Sequence, residues 1–257
     1  MKKTLQEKLL ARQVKTPNGL LYWILMLVVK VLNGKTHTTF RYKADPRKDR
    51  EPFIIISNHA SRVDYQFTGP VCYPNRLNYV VGYNEFFRFP ACLLLKLAQV
   101  IPKKNFTPDL HCMRQMRSII HRGGHLCIMP EGVSSITGMA QPVMAGTGKF
   151  LKMMGVTVYY TKISGGYLTY TKHCLDERVG RVEVTVDRMF TPQELKRLPD
   201  GARLMTLECG LRFLTDYLQG DPYFATTRPG QNLDRCRTQM GLVQDMENQW
   251  DAMAAAL

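Results

Sequence analysis

Apolar and polar positions change character four times along the chain. From Leu5 to about Val14, leucines and a valine are interspersed with glutamate, lysine and arginine, which predicts a short basic amphipathic helix. Thr16-Pro17-Asn18-Gly19 breaks it. Leu20 to Val29 follows as ten consecutive apolar residues, Tyr22 and Trp23 among them, between Lys15 and Lys30. A membrane-spanning helix needs about 20 apolar residues, so this run is too short to cross a bilayer and instead fits an interfacial or half-inserted helix. A polar, basic stretch from Lys43 to Glu51 leads away from it and marks the edge of the main domain.

From Pro52 onward, strand and helix patterns alternate. Phe53-Ile54-Ile55-Ile56-Ser57 is a continuous apolar, β-branched run, as expected of a strand buried on both faces. Leu77–Val81, Leu126–Met129, Val156–Tyr160 and Val182–Val186 are further expected strands. Helices are expected at Tyr65–Tyr73, Glu85–Ala98, Pro108–His121, Thr147–Met154 and Pro192–Leu218. Such alternation predicts an α/β fold: a single sheet with helices on both faces, preceded by an N-terminal membrane-binding helical segment. The expected divisions are residues 1–50 for that segment, 51–220 for the α/β domain and 221–257 for a loosely packed C-terminal tail.

Composition sharpens this picture. The chain of 257 residues carries 35 Lys and Arg against 21 Asp and Glu, a formal charge of +14. Residues 1–50 hold twelve cations against three anions, so +9 of that charge lies in the first fifth. A basic block interleaved with an apolar run suits an anionic membrane surface better than nucleic acid, and no nucleic-acid-reading motif appears. The expected location is therefore the cytoplasmic face of the cell membrane, peripheral or half-inserted. Seven scattered cysteines, with no paired spacing, fit a reducing compartment and not a disulfide framework or a zinc ribbon.

Candidate chemistry begins where the first buried strand ends, in Asn58-His59-Ala60-Ser61-Arg62-Val63-Asp64. A histidine leaves the strand and a carboxylate follows five positions later, at an expected helix start. A carboxylate on one ring nitrogen fixes the tautomer and makes the other nitrogen more basic, which is how histidine becomes a general base. A second strand end carries Pro130-Glu131-Gly132-Val133-Ser134-Ser135. Open α/β sheets bind ligands at strand carboxyl ends, so the two segments meet if their strands are parallel neighbours.

Other features argue less. Gly146-Thr147-Gly148-Lys149 fails as a phosphate loop, because Val143 stands where glycine is needed and Phe150 follows the lysine. His111, Cys112, His121, His125 and Cys127 are close in sequence, but a Gly123-Gly124 break and a buried strand divide them, so no metal site is expected. No G-x-S-x-G elbow is present, which disfavours a serine esterase.

Asn58-His59-x-Ser61-x-x-Asp64, an H-x4-D motif, paired with Pro130-Glu131-Gly132 about seventy residues on, resembles the glycerolipid acyltransferase family, in particular the bacterial 1-acylglycerol-3-phosphate acyltransferases. The resemblance covers roughly residues 50–170. It implies that His59 deprotonates the free hydroxyl of a lysophospholipid acceptor while Asp64 supports it. The hydroxyl then attacks the thioester of acyl-coenzyme A or acyl carrier protein directly, a co-substrate and not a cofactor. It also implies that Asn58, Ser61, Glu131 and Gly132 shape the acceptor site and that lysophosphatidic acid becomes phosphatidic acid. The chain departs from the family at Ser134, where an arginine that holds the acceptor phosphate is usual; Lys103 or Lys104 is the expected substitute. The late strand also lacks the family's proline at Thr157. Two alternatives stay open: the same chemistry on a different lysolipid, or a non-catalytic lipid-surface protein of the same fold.

Overall fold

Phe53–Ser57 (β2) is buried at all five positions in the computed structural model, which describes Leu9 and residues 12–61, 63–104, 109–169 and 180–256. The burial follows from its central place in a seven-stranded sheet of order β1-β7-β6-β2-β5-β3-β4. The other strands are β1 (Thr39–Tyr42), β3 (Leu77–Gly82), β4 (Ile101–Lys103), β5 (His125–Ile128), β6 (Thr157–Ser164) and β7 (Glu183–Phe190). Every pairing is parallel except β6 with β7. The single mixed sheet with helices bears out the α/β expectation.

Alternation along β2 assigns the two faces. Phe53 and Ile55 join Phe67, Val71 and Cys72 of helix α2 (Tyr65–Cys72) in one core cluster. Ile54, Leu126 and Val158 stand outside that cluster and are equally buried, so the opposite face is covered too. Helix α4 (Leu110–His121) lies against β4 and β5, and the short helices α5 (Thr147–Met154) and α6 (Gly166–Thr169) precede and follow β6 in the chain.

Two edge strands were not anticipated. β1 is a four-residue edge strand with no buried position, and β4 holds Pro102, which only an edge tolerates because it has no N–H to donate. The helix expected over 85–98 divides into a 3₁₀ turn at Tyr83–Phe87 and α3 at Ala91–Leu97. Pro90 cannot donate a helical hydrogen bond, so a new helix begins at that point.

The apolar run near the start forms α1, Gly19–Lys35, longer than its apolar stretch and capped by the Asn18 side chain. Asn33 Nδ2 donates to Gln66 O over 2.8 Å, and Tyr22 OH accepts from Leu77 N over 3.3 Å, which fixes one face of α1 on the domain. Leu20, Trp23, Ile24, Leu27, Val28 and Val31 are left exposed. Among the described residues no helix is long and apolar enough to cross a membrane. Most of the helix expected at 5–14 lies outside the described residues. Its end does not: residues 12–15 are non-helical, Val14 is fully buried, and Val14 N donates to Gln115 Oε1 over 3.2 Å.

The chain divides into two compact units, residues 1–191 and 192–257. This boundary lies earlier than expected, and the second unit is built rather than loose. Its helices are α7 (Pro192–Lys196), α8 (Leu198–Leu218), α9 (Gln231–Asn248) and α10 (Trp250–Ala256), with α8 and α9 packed on each other. The turn joining α8 to α9 closes on Asp216, a buried carboxylate that accepts from Tyr223 N, Phe224 N and Asn232 Nδ2 at 2.8–2.9 Å. The polarity of this stretch hides that arrangement, because its internal hydrogen bonds do the work of an apolar pattern.

Candidate active site

β2 and β5 are adjacent and parallel, with Ile54 opposite Leu126 and Ile56 opposite Ile128. Both strands therefore deliver their following loops to the same sheet edge, and the two motifs meet there. His59 N donates to Glu131 Oε1 over 3.1 Å, and Ser135 N donates to His59 O over 2.8 Å.

His59 and Asp64 form the centre of the site. The His59 ring nitrogen Nδ1 lies 2.8 Å from Asp64 Oδ2, with the carboxylate fully buried and the histidine side chain 22% exposed. Asp64 precedes α2 but makes no side-chain cap to that helix. It turns back instead, and Ser61 holds it there: Ser61 N lies 3.0 Å from each carboxylate oxygen and Ser61 Oγ donates to Oδ1 over 2.6 Å. A carboxylate with these donors acts as the acceptor for the ring, so Nδ1 carries the proton and Nε2 keeps its lone pair. The partly open ring makes that lone pair reachable for an incoming hydroxyl.

The remaining candidate residues divide by what their atoms touch. Ser61 is buried, and its hydroxyl goes to Asp64. The Asn58 amide bonds both backbone groups of Ile163, at 2.9 and 2.7 Å, and so straps the loop after β2 to β6. Glu131 spans two loops, because its second oxygen accepts from Gln141 N over 3.0 Å. Gly132 has φ +73, a left-handed conformation that favours glycine, and the flexible Met144 side chain lies against it. Its N–H is used by Met129 O. Ser134 is buried and brings no charge to the site.

Lys103 and Lys104 stand at the C-terminal end of β4, on the edge that carries the motif loops but with β3 and β5 between them and β2. Asp109 Oδ2 accepts from the Lys104 backbone N–H over 2.9 Å and fixes that turn. Tyr160 of β6 is a neighbour the motifs do not announce. It pairs with Ile56, and burial together with the Glu131 charge raises its phenol pKa. Only strand order could have found it, since it sits in an ordinary apolar strand pattern.

Comparison with known proteins falls on the same residues. Residues 39–163 match the family model described as acyltransferase, a stretch that holds both motifs and six of the seven strands. Among solved structures, the chain is similar to the 1-acyl-sn-glycerophosphate (LPA) acyltransferase of Thermotoga maritima. The two are 15% identical with a TM-score of 0.52, over 67% of this chain and 69% of that one. At that identity the likeness bears on the fold, whereas the family match bears on the segment with the His59–Asp64 pair. The segment that carries the paired motifs therefore matches the acyltransferase family model, in agreement with the resemblance read from the sequence.

Proposed function

We propose that this protein moves a fatty acyl group from a thioester donor, acyl-coenzyme A or acyl carrier protein, to the free hydroxyl of lysophosphatidic acid, giving phosphatidic acid. The observation that carries the reading is the 2.8 Å contact between His59 Nδ1 and the buried Asp64 carboxylate, which leaves Nε2 to take the proton of the acceptor. The hydroxyl oxygen attacks the thioester carbonyl as that proton leaves, the C–S bond breaks, and the thiolate departs. A thiolate leaves readily, so the demands on the protein are proton removal and alignment, to which general-base action contributes about 10²–10⁴-fold. The Thermotoga maritima protein of similar fold is a 1-acyl-sn-glycerophosphate (LPA) acyltransferase, which supports lysophosphatidic acid as the acceptor.

One observation favours a second reading, in which the same chemistry acts on a different lysolipid. The buried, uncharged Ser134 occupies the place where the family usually presents arginine, and the cations at the end of β4, Lys103 and Lys104, stand two strands away and lack an arginine's bidentate fork. The exposed apolar stripe of α1 supports work at a membrane surface. Beside its start is an open cleft of about 440 Å³ lined in part by Lys15, Arg76 and Lys96, which suits anionic headgroups.

The test is thioester consumption by the purified protein on anionic liposomes, with and without lysophosphatidic acid and with other lysolipids in competition. Turnover should depend on the acceptor and fall about 10²–10⁴-fold in His59→Ala, with vesicle binding unchanged. Undiminished transfer by that variant would sink the proposal, and a preference for another lysolipid would select the second reading.

A further inference from the structure

The loop between β5 and helix α5 (Thr147–Met154) has a composition unlike the rest of the chain. Residues 132–148 are 17 consecutive positions without a charged side chain, the longest such stretch in a protein of formal charge +14. Water-facing loops are usually polar, because exposed backbone and side chains are solvated there. Here Val133, Ile136, Met139, Val143 and Met144 are between 43% and 71% exposed. Exposed apolar side chains gathered in one segment mark a contact surface.

The loop is held in shape rather than left slack. Met144 N donates to Pro130 O over 2.9 Å and closes its base, and Ser135 Oγ donates to Met139 O over 2.8 Å. Tyr167 OH donates to Ile136 O over 2.6 Å, and the Tyr167 ring leaves room at Gly138, φ +82, for no side chain. These bonds occupy backbone groups and leave the apolar side chains facing outward.

We infer that the tip of this loop, Ile136 and Met139 with Val143 beside them, inserts into the lipid surface next to the catalytic histidine. This contact is separate from α1, and the inference rests on the acyl-transfer reading for its purpose. A lipid surface is favoured over the acyl donor on charge. Coenzyme A and acyl carrier protein present anionic groups, to which the exposed valine, isoleucine and methionine side chains offer no partner, whereas a bilayer also offers those side chains hydrocarbon. An anionic bilayer wants apolar side chains with cations behind them, and the next charges along the chain are Lys149 and Lys152. The loop's base is bonded to both backbone groups of His59, through Glu131 and Ser135. Seating the tip in lipid therefore sets the height of the catalytic ring at the interface, where a lysolipid hydroxyl lies.

The test labels Met139→Cys with an NBD fluorophore and compares it with the unsubstituted protein labelled in parallel. Vesicles of phosphatidylglycerol and phosphatidylcholine should shift the added emission to the blue and raise its intensity. Ile136→Asp/Met139→Asp should lower the vesicle-bound fraction about ten- to hundredfold, the expectation for removing two buried apolar side chains. Turnover of a short-chain, water-soluble acceptor should be unchanged, and circular dichroism with a parallel Ile136→Ser/Met139→Ser variant separates lost binding from lost folding. A shift produced by acyl donor without vesicles would overturn the inference in favour of a donor site. Full vesicle binding without any shift would overturn it in favour of α1 alone. The fluorescence readout needs no catalysis, so an absence of acceptor-dependent thioester consumption would defeat the acyl-transfer reading while leaving the lipid contact standing.

Discussion

Two histidines mark opposite ends of neighbouring strands, and the difference between them separates a histidine that can do chemistry from one that cannot. His59 leaves the C-terminal end of β2 with Asp64 on its Nδ1 and its side chain 22% exposed. His125 opens β5 at the other end of the sheet, with its ring packed on Phe53, centroids 4.2 Å apart. Its Nδ1 is buried without a partner, and burial pushes its pKa down from 6.5 to about 4, with Asp49 pulling it up and Arg76 pushing it down. Burial alone keeps an imidazole neutral and inert. A buried carboxylate beside a reachable ring is what holds a defined tautomer with its lone pair outward.

The comparison breaks most easily at Asp64. Asp64→Asn keeps the volume but sets an amide against Ser61 and the ring, so the tautomer is no longer dictated. Transfer should fall about 10²–10³-fold, chiefly in kcat, with stability reduced by ~1–3 kcal/mol in urea unfolding, since a buried donor loses its acceptor. Unchanged kcat would mean that the carboxylate only holds the turn.

Glu131→Gln should have a smaller effect, because it touches the backbone of His59 and not its ring. Both Glu131 oxygens accept from backbone N–H groups, and a glutamine can satisfy only one of them. We expect about a tenfold loss of activity and faster proteolysis within residues 132–148. Loss of activity without faster cleavage would point instead to direct contact with the substrate.

His125 supplies the smallest effect on activity and the clearest one on stability. Its folded pKa lies below its ordinary value, so the unfolded chain binds more protons between the two. Stability therefore declines as pH falls from about 6.5 toward about 4 and loses nothing further from this group below that. His125→Leu should flatten that part of the stability curve while leaving acyl transfer intact. A curve that keeps its slope would assign the acid sensitivity to other groups.

Much of the site was legible before the fold. His59, Asp64 and Glu131 stand out because each follows or neighbours a buried strand end, where polar side chains of those types have few structural uses. Ser61 was visible as a site residue, but the destination of its hydroxyl was not. A three-residue spacing permits contact with Asp64 without requiring it, and the turn geometry decided it. β1 and β4 escaped because four- and three-residue edge strands, one with a proline, carry no alternation. They are strands only because β7 and β3 lie beside them. The α8–α9 unit escaped because its turn is built on polar bonds to Asp216.

The sequence by itself determined which segments are buried and which residue types can carry chemistry, since local periodicity and spacing report burial and backbone preference over a few residues. It also determined the α/β class, through the alternation of those patterns. Only the tertiary structure decided that the strand before His59 and the strand before Glu131 are neighbours. That pairing joins residues some seventy positions apart through backbone hydrogen bonds, which every residue can make and no local pattern records. The arrangement of His59, Asp64 and Glu131 depends on it, because two loops share one sheet edge only when their strands lie side by side and run the same way.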